Sequence, residues 1–164
     1  MKHPNKEIMI DLIKKQWQNH SIYAAVITND GVIISEGTTT VAQSCDPTAH
    51  AEVNAIREAS RLLKTSQFPS GYWLYSTFEP CPLCSSAAIW AGLDGIVYAN
   101  NPTYRGDLPN WSFIRCADVL EKGRDIHQVT LYSDYLIEEI KGYFTRHKKD
   151  NTKSEDEHGE VSSL

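Results

Sequence analysis

What this 164-residue sequence lacks narrows it first. No apolar run approaches the ~20 residues that a membrane-spanning helix needs. The opening M-K-H-P-N-K-E is polar and runs into an amphipathic pattern, so it does not read as a secretory signal. Internal repeats are absent. Basic charge is not in excess: the formal net charge is −5, a poor match to wrapping nucleic acid or lying on an anionic membrane. Cysteines are few, namely Cys45, Cys81, Cys84 and Cys116. In a chain that reads as cytoplasmic, a C-x-x-C pair points to metal or redox chemistry rather than to a structural disulfide. What remains is an ordinary globular composition, 41% hydrophobic and 23% charged. A chain of this length buries about two-thirds of its unfolded surface without staples.

The pattern along the chain alternates helices and strands. Residues 5–18 place Ile8, Leu12 and Ile13 at helical spacing. I-Y-A-A-V-I-T and V-I-I-S-E-G flank Asp30-Gly31, a hairpin signal. Residues 38–47 read as a loop that ends at a helix start, Asp46-Pro47-Thr48. Y-W-L-Y-S-T (72–77) reads as a strand, C-P-L-C-S-S-A-A-I-W-A as a buried helix and G-I-V-Y-A as a short strand. A long loop over 100–111, a helix near 112–121, the strand Q-V-T-L-Y and a last helix over 134–147 complete the order. This predicts a three-layer α/β/α sandwich with a sheet mostly parallel after the first hairpin. One domain over 1–147 and a polar, disordered tail over 148–164 are expected.

Two short stretches carry chemistry: T-A-H-A-E-V-N (48–54) and E-P-C-P-L-C (79–84). Both sit where a helix begins, at the end of a sheet where ligand sites lie. His50, Cys81 and Cys84 supply one imidazole and two thiols, a set that suits zinc with a fourth position left open. A helix N-terminus also stabilises thiolate charge. Glu52, two residues past His50, is then placed to shuttle protons rather than to ligate. Blander readings stand beside this one. His50 alone can be a structural histidine. The C-x-x-C alone can be a redox pair, though that explains neither His50 nor Glu52. Cys45 can close a structural zinc site as a fourth ligand. Cys116 reads as a small buried hydrophobe.

Together, H-A-E and P-C-P-L-C match the signature H-x-E … P-C-x-x-C of zinc-dependent nucleobase deaminases. The chain resembles the cytidine/deoxycytidylate deaminase superfamily from about residue 8 to 145, and within it bacterial guanine deaminases. The shared stretches are D-P-T-A-H-A-E-V-N-A-I-R, L-Y-S-T-F-E-P-C-P-L-C, A-I-W-A, S-F-I and Q-V-T-L. The resemblance implies a cytidine deaminase-like fold with a five-stranded mixed sheet. It implies zinc on His50, Cys81 and Cys84, Glu52 as general acid/base, and a homodimer, for which Tyr143 and Phe144 are candidate contacts. The implied reaction is hydrolytic deamination of a small-molecule base: water adds to a ring carbon, Glu52 moves protons, and ammonia leaves. Guanine is the implied substrate. A tRNA adenosine deaminase, or an enzyme for cytosine, adenine, a pterin or an s-triazine, is the alternative. The backbone amides of Ala51 and Cys81 are candidates to hold substrate oxygen. Tyr23 and Trp90 are candidate aromatic walls for a planar ring, with a place in the core as the alternative for both. The pattern departs from relatives at Thr39, where they carry Asn, and at Asn110 and Trp111, near which guanine deaminases carry an acidic residue.

Overall fold

The computed structural model describes residues 3–100 and 113–138. Helix α1 (Lys6–Asn19) opens on Asn5, whose side chain accepts a hydrogen bond from the Ile8 amide, the usual way to satisfy a free N-terminal donor. Strands β1 (Tyr23–Thr28) and β2 (Ile33–Thr38) form the antiparallel hairpin expected around Asp30-Gly31. Gly31 takes φ +84°, a conformation that favours glycine. The expected loop over 38–47 contains a one-turn helix, α2 (Val41–Ser44), which the run of Thr, Gln and Ser did not announce.

Helix α3 (Ala51–Leu63) starts later than Asp46-Pro47-Thr48 suggests. The Asp46 carboxylate accepts from the amide and the hydroxyl of Thr48. That side-chain turn competes with helix, so helical geometry begins only after His50. Strand β3 (Tyr72–Phe78), helix α4 (Pro82–Ala91), strand β4 (Gly95–Asn100), helix α5 (Cys116–Lys122) and strand β5 (Thr130–Tyr132) follow. Of the last expected helix only residues up to 138 are described. The tail, residues 101–112 with most of the expected loop over 100–111, Tyr143 and Phe144 lie outside the described residues.

The sheet order is β2-β1-β3-β4-β5, antiparallel across the first two pairs and parallel across the last two. It is the expected five-stranded mixed sheet between helical layers. On one face Met9, Leu12 and Ile13 of α1 meet Ala25, Ile27, Tyr75 and Val97. On the other, Ala51, Ala55 and Ala59 of α3 and Ala88 and Ile89 of α4 meet Ala24, Val26, Leu74 and Ile96. Gly37 permits α3 to lie close on β2: a Cβ there would stand 2.3 Å from the Ala51 carbonyl oxygen and 2.5 Å from the Ala55 nitrogen. None of the described helices is long and apolar enough to cross a membrane.

Candidate active site

Two helix starts converge at the carboxyl end of β3. His50 is the N-cap of α3 and Cys81 the N-cap of α4, and both have extended backbone. Neither side chain makes a capping hydrogen bond. Residues that cap well, worth ~1 kcal/mol each, are replaced here by an imidazole and a thiol that face each other instead. Pro82, preorganised for a first helical position, starts α4 and brings Cys84 round to the same side.

His50 Nδ1 lies 3.4 Å from Cys81 Sγ and 3.5 Å from Cys84 Sγ, and the two sulfurs are 3.6 Å apart. Zn–S bonds of about 2.3 Å and Zn–N bonds of about 2.0–2.1 Å in a tetrahedron demand edges of roughly 3.8 Å (S···S) and roughly 3.6 Å (N···S). The observed triangle meets that demand within a few tenths of an ångström, so the donors fit zinc without rearrangement. Among the described residues they form a group that could hold one metal ion. Cys45 is exposed and stands apart, with its sulfur 3.9 Å from the Ala42 carbonyl oxygen. Cys116 is a buried free cysteine, with its thiol pushed up to about 12 by burial.

Glu52 is 5% exposed. Its Oε1 accepts from Ser76 Oγ at 3.0 Å, and its Oε2 lies 3.4 Å from Cys84 Sγ. Burial raises its pKa above the usual carboxylate value. Among these side chains alone, hydrogen bonding from Cys84 pulls the Cys81 thiol down to about 5 against the opposing effect of burial. The same hydrogen bond, with burial and the Glu52 charge, pushes Cys84 up.

A pocket of about 220 Å³ opens onto this group, lined by Ile22, Thr39, His50, Glu52, Phe78, Glu79 and Cys81. Thr39 is therefore on the pocket wall. Ala51 is buried at the first position of α3, where amides have no intrahelical acceptor. Tyr23 is half-buried beside Ile22 and pairs through its backbone with Thr77 Oγ1. Trp90 is not brought to this pocket: it is 67% exposed on α4 and lines a separate cavity with Ile114 and Ile126. Its place near the C-terminal end of α4, away from the Cys81 end, is the reason. Asn110 and Trp111 lie outside the described residues.

Three supporting residues escaped the sequence reading. Asn54 Nδ2 donates to the Thr38 carbonyl, to Thr40 Oγ1 and to the Ala49 carbonyl. It ties the Thr39 loop to α3. An Asn inside a run of good helix formers is the signal that could have found it. Glu79 is 2% exposed; its Oε1 accepts from the Cys116 amide, and its Oε2 lies 3.0 Å from Arg115 Nη2. It fixes the start of α5 beside the pocket, and burial raises its pKa. Ser76, the third, is a polar residue on an inward strand face.

Residues 7–100 match the family described as the cytidine and deoxycytidylate deaminase zinc-binding region. The chain belongs to that family, and zinc is the metal its donor set and its family share. It is 47% identical over 81 residues to a guanine deaminase of Bacillus subtilis (strain 168), covering 49% of this chain and 51% of that one. It is 41% identical over 75 residues to a tRNA-specific adenosine deaminase of Aquifex aeolicus (strain VF5), covering 46% and 49%. The chain thus spans about half the length of these curated relatives. Among solved structures, a guanine deaminase from Nitrosomonas europaea superposes with TM-score 0.71 at 21% identity, over 86% of this chain and 81% of that one. The Bacillus subtilis guanine deaminase superposes with TM-score 0.53 at 36% identity, over 63% and 67%.

Proposed function

We propose that the protein hydrolytically deaminates a free amino-substituted base, with guanine converted to xanthine and ammonia. The observation that carries deamination is a buried carboxylate set against a three-donor metal site at the mouth of a small pocket. His50, Cys81 and Cys84 would hold the zinc, which supplies Lewis acidity and lowers the pKa of water. Glu52 takes one proton of the attacking water at Oε2, the oxygen facing the metal donors, and gives it to a ring nitrogen. It then takes the second proton, from the hydroxyl left on the ring carbon, and gives it to the amine, so that ammonia leaves and a carbonyl remains. Its burial suits the task, because a carboxyl with a raised pKa gives up a proton as well as accepting one. The amides at Ala51 and Cys81 point from two helix starts and would steady a developing negative charge. Thr39 offers the ring a single hydroxyl. Tyr23 stays in the proposal as a neighbour of the pocket wall, and Asn110 as a reader of the purine edge.

Guanine is supported by the 47% identity to a guanine deaminase. The net charge of −5 favours a small uncharged base over RNA, whose phosphates call for basic surface. The test is ammonia release from guanine, adenine, cytosine, a pterin and an s-triazine, beside inosine formation in a tRNA anticodon stem-loop. Xanthine formation is expected. Inosine in the stem-loop with guanine untouched would overturn the reading. A cytoplasmic homodimer belongs to the same proposal, supported by the apolar surface that Leu83, Trp90, Ile114 and Ile126 leave exposed. Light scattering that shows a monomer at high concentration removes the dimer.

A further inference from the structure

A buried carboxylate that must face one spot needs something to hold it there, and the opposing strand supplies it. Ser76 is fully buried on β3. It lies between Ala24 of β1 and Tyr98 of β4, on the sheet face that α3 covers. The other side chains of that patch are mostly apolar, and a hydroxyl buried among them is costly unless it is hydrogen-bonded. Ser76 Oγ lies 3.3 Å from the Phe78 amide nitrogen and 3.0 Å from Glu52 Oε1. A backbone N–H only donates, so Ser76 accepts there, and its one hydroxyl proton is left for Glu52. Oε1 is thereby occupied, while Oε2 turns toward Cys84 Sγ at 3.4 Å.

We propose that Ser76 is a positioning residue for Glu52: its hydroxyl holds Oε1 from the strand so that Oε2 alone faces the metal donors and the pocket. This rests on the role proposed above for Glu52. It adds that the aim of the carboxylate is set across the α3–β3 interface as well as by the helix backbone at Glu52 itself. A merely structural serine would satisfy its own buried oxygen, and its loss would cost stability without touching turnover.

The test compares Ser76→Ala and Ser76→Thr in the full zinc-loaded chain, each alone and combined with Glu52→Ala. Ser76→Ala should keep stoichiometric zinc by elemental analysis and leave KM nearly unchanged. It should lower kcat about tenfold or more, the scale of one lost hydrogen bond to a charged group. Ser76→Thr, which keeps the hydroxyl, should recover most of that loss. In the Glu52→Ala background Ser76→Ala should remove nothing further, because the two act as one unit. A crystal structure of Ser76→Ala should show the Glu52 carboxylate turned from its present orientation. An unchanged kcat, an equal further loss in the Glu52→Ala background, or an unmoved Glu52 would overturn the proposal. If Glu52→Ala itself stays active, the proton-carrier reading fails instead. The crystal position of Glu52 would still decide whether Ser76 holds it.

Discussion

Beneath α1 the sheet is covered by Met9, Leu12 and Ile13, all at most 1% exposed, against Ala25, Ile27 and Val97. Beneath α3 and α4 the same strands bury Glu52, Ser76, Glu79 and Ser85 among the alanines. Both faces exclude water, yet they do it differently. The first face is packed chiefly by apolar burial, at roughly 25 cal/mol per Å² of apolar surface. The second carries a run of alanines, Ala51, Ala55 and Ala59 on α3 and Ala88 and Ala91 on α4, which let these helices lie close to the strands. The polar groups it encloses are each held by a partner. The difference separates the packing that seats α1 from the polar groups that stand around the metal donors.

Breaking the second face gives the largest effect. Cys81→Ala should abolish both bound zinc and ammonia release, measured by elemental analysis and a deaminase assay on the same preparation. Activity in a zinc-free variant would remove the metal from the account. Glu52→Ala should keep the metal and the melting temperature while lowering turnover by at least ~10². A fully active variant would make Glu52 an ordinary helix residue. On the first face, Leu12→Ala should cost about 2–5 kcal/mol of unfolding free energy, read from urea titration, with kcat unchanged below the transition. A fall in kcat matching that of Glu52→Ala would erase the distinction between the faces.

The smallest effect concerns the edge of the first face. His3 is 7% exposed, stacks on Trp73 at 4.3 Å and lies 2.7 Å from the Tyr75 hydroxyl through Nδ1. Burial, and then the positive N-terminus, lower its pKa below 6.5. The folded protein therefore binds this proton less readily than the unfolded chain does. The contribution is intact above about pH 6.5 and is lost as pH falls below it. Melting temperatures at pH 7.5 and pH 5.5 should converge slightly in His3→Gln relative to the unaltered protein. Identical acid sensitivity in both would show that His3 does not couple to folding.

Much of this was legible in the sequence, for particular reasons. The hairpin was announced by Asp30-Gly31 between β-rich runs, and α4 by small apolar residues closed by Gly92. The metal donors were legible because H-A-E and P-C-P-L-C are rare in combination and each sits at a helix start. The late start of α3 was not legible, because it depends on how the Asp46 carboxylate folds back on Thr48. Ser76 and Asn54 were hidden for a related reason: their partners, Glu52 and the Thr38–Thr40 loop, are brought to them only by the fold. Trp90 was read as a wall for a ring because aromatic residues favour such roles. In the fold, helical geometry carries it away from the pocket to an exposed surface.

Gly37 is not one of the metal donors, yet it bears on where they stand, because it lets α3 lie close on β2. The first turn of α3 carries His50 and Glu52, and it rests on β2 at a point where only a hydrogen fits. The Cys81 side of the site is anchored independently, at the end of β3. The gap between imidazole and sulfurs is thus a difference between two attachments, one of them calibrated by an absent methyl group. A Cβ at position 37 would meet the backbone of Ala51 and Ala55, so a larger residue there should push the start of α3 off β2 and shift His50 and Glu52 with it. An edge strand with no role in the reaction would then decide how well the metal is held.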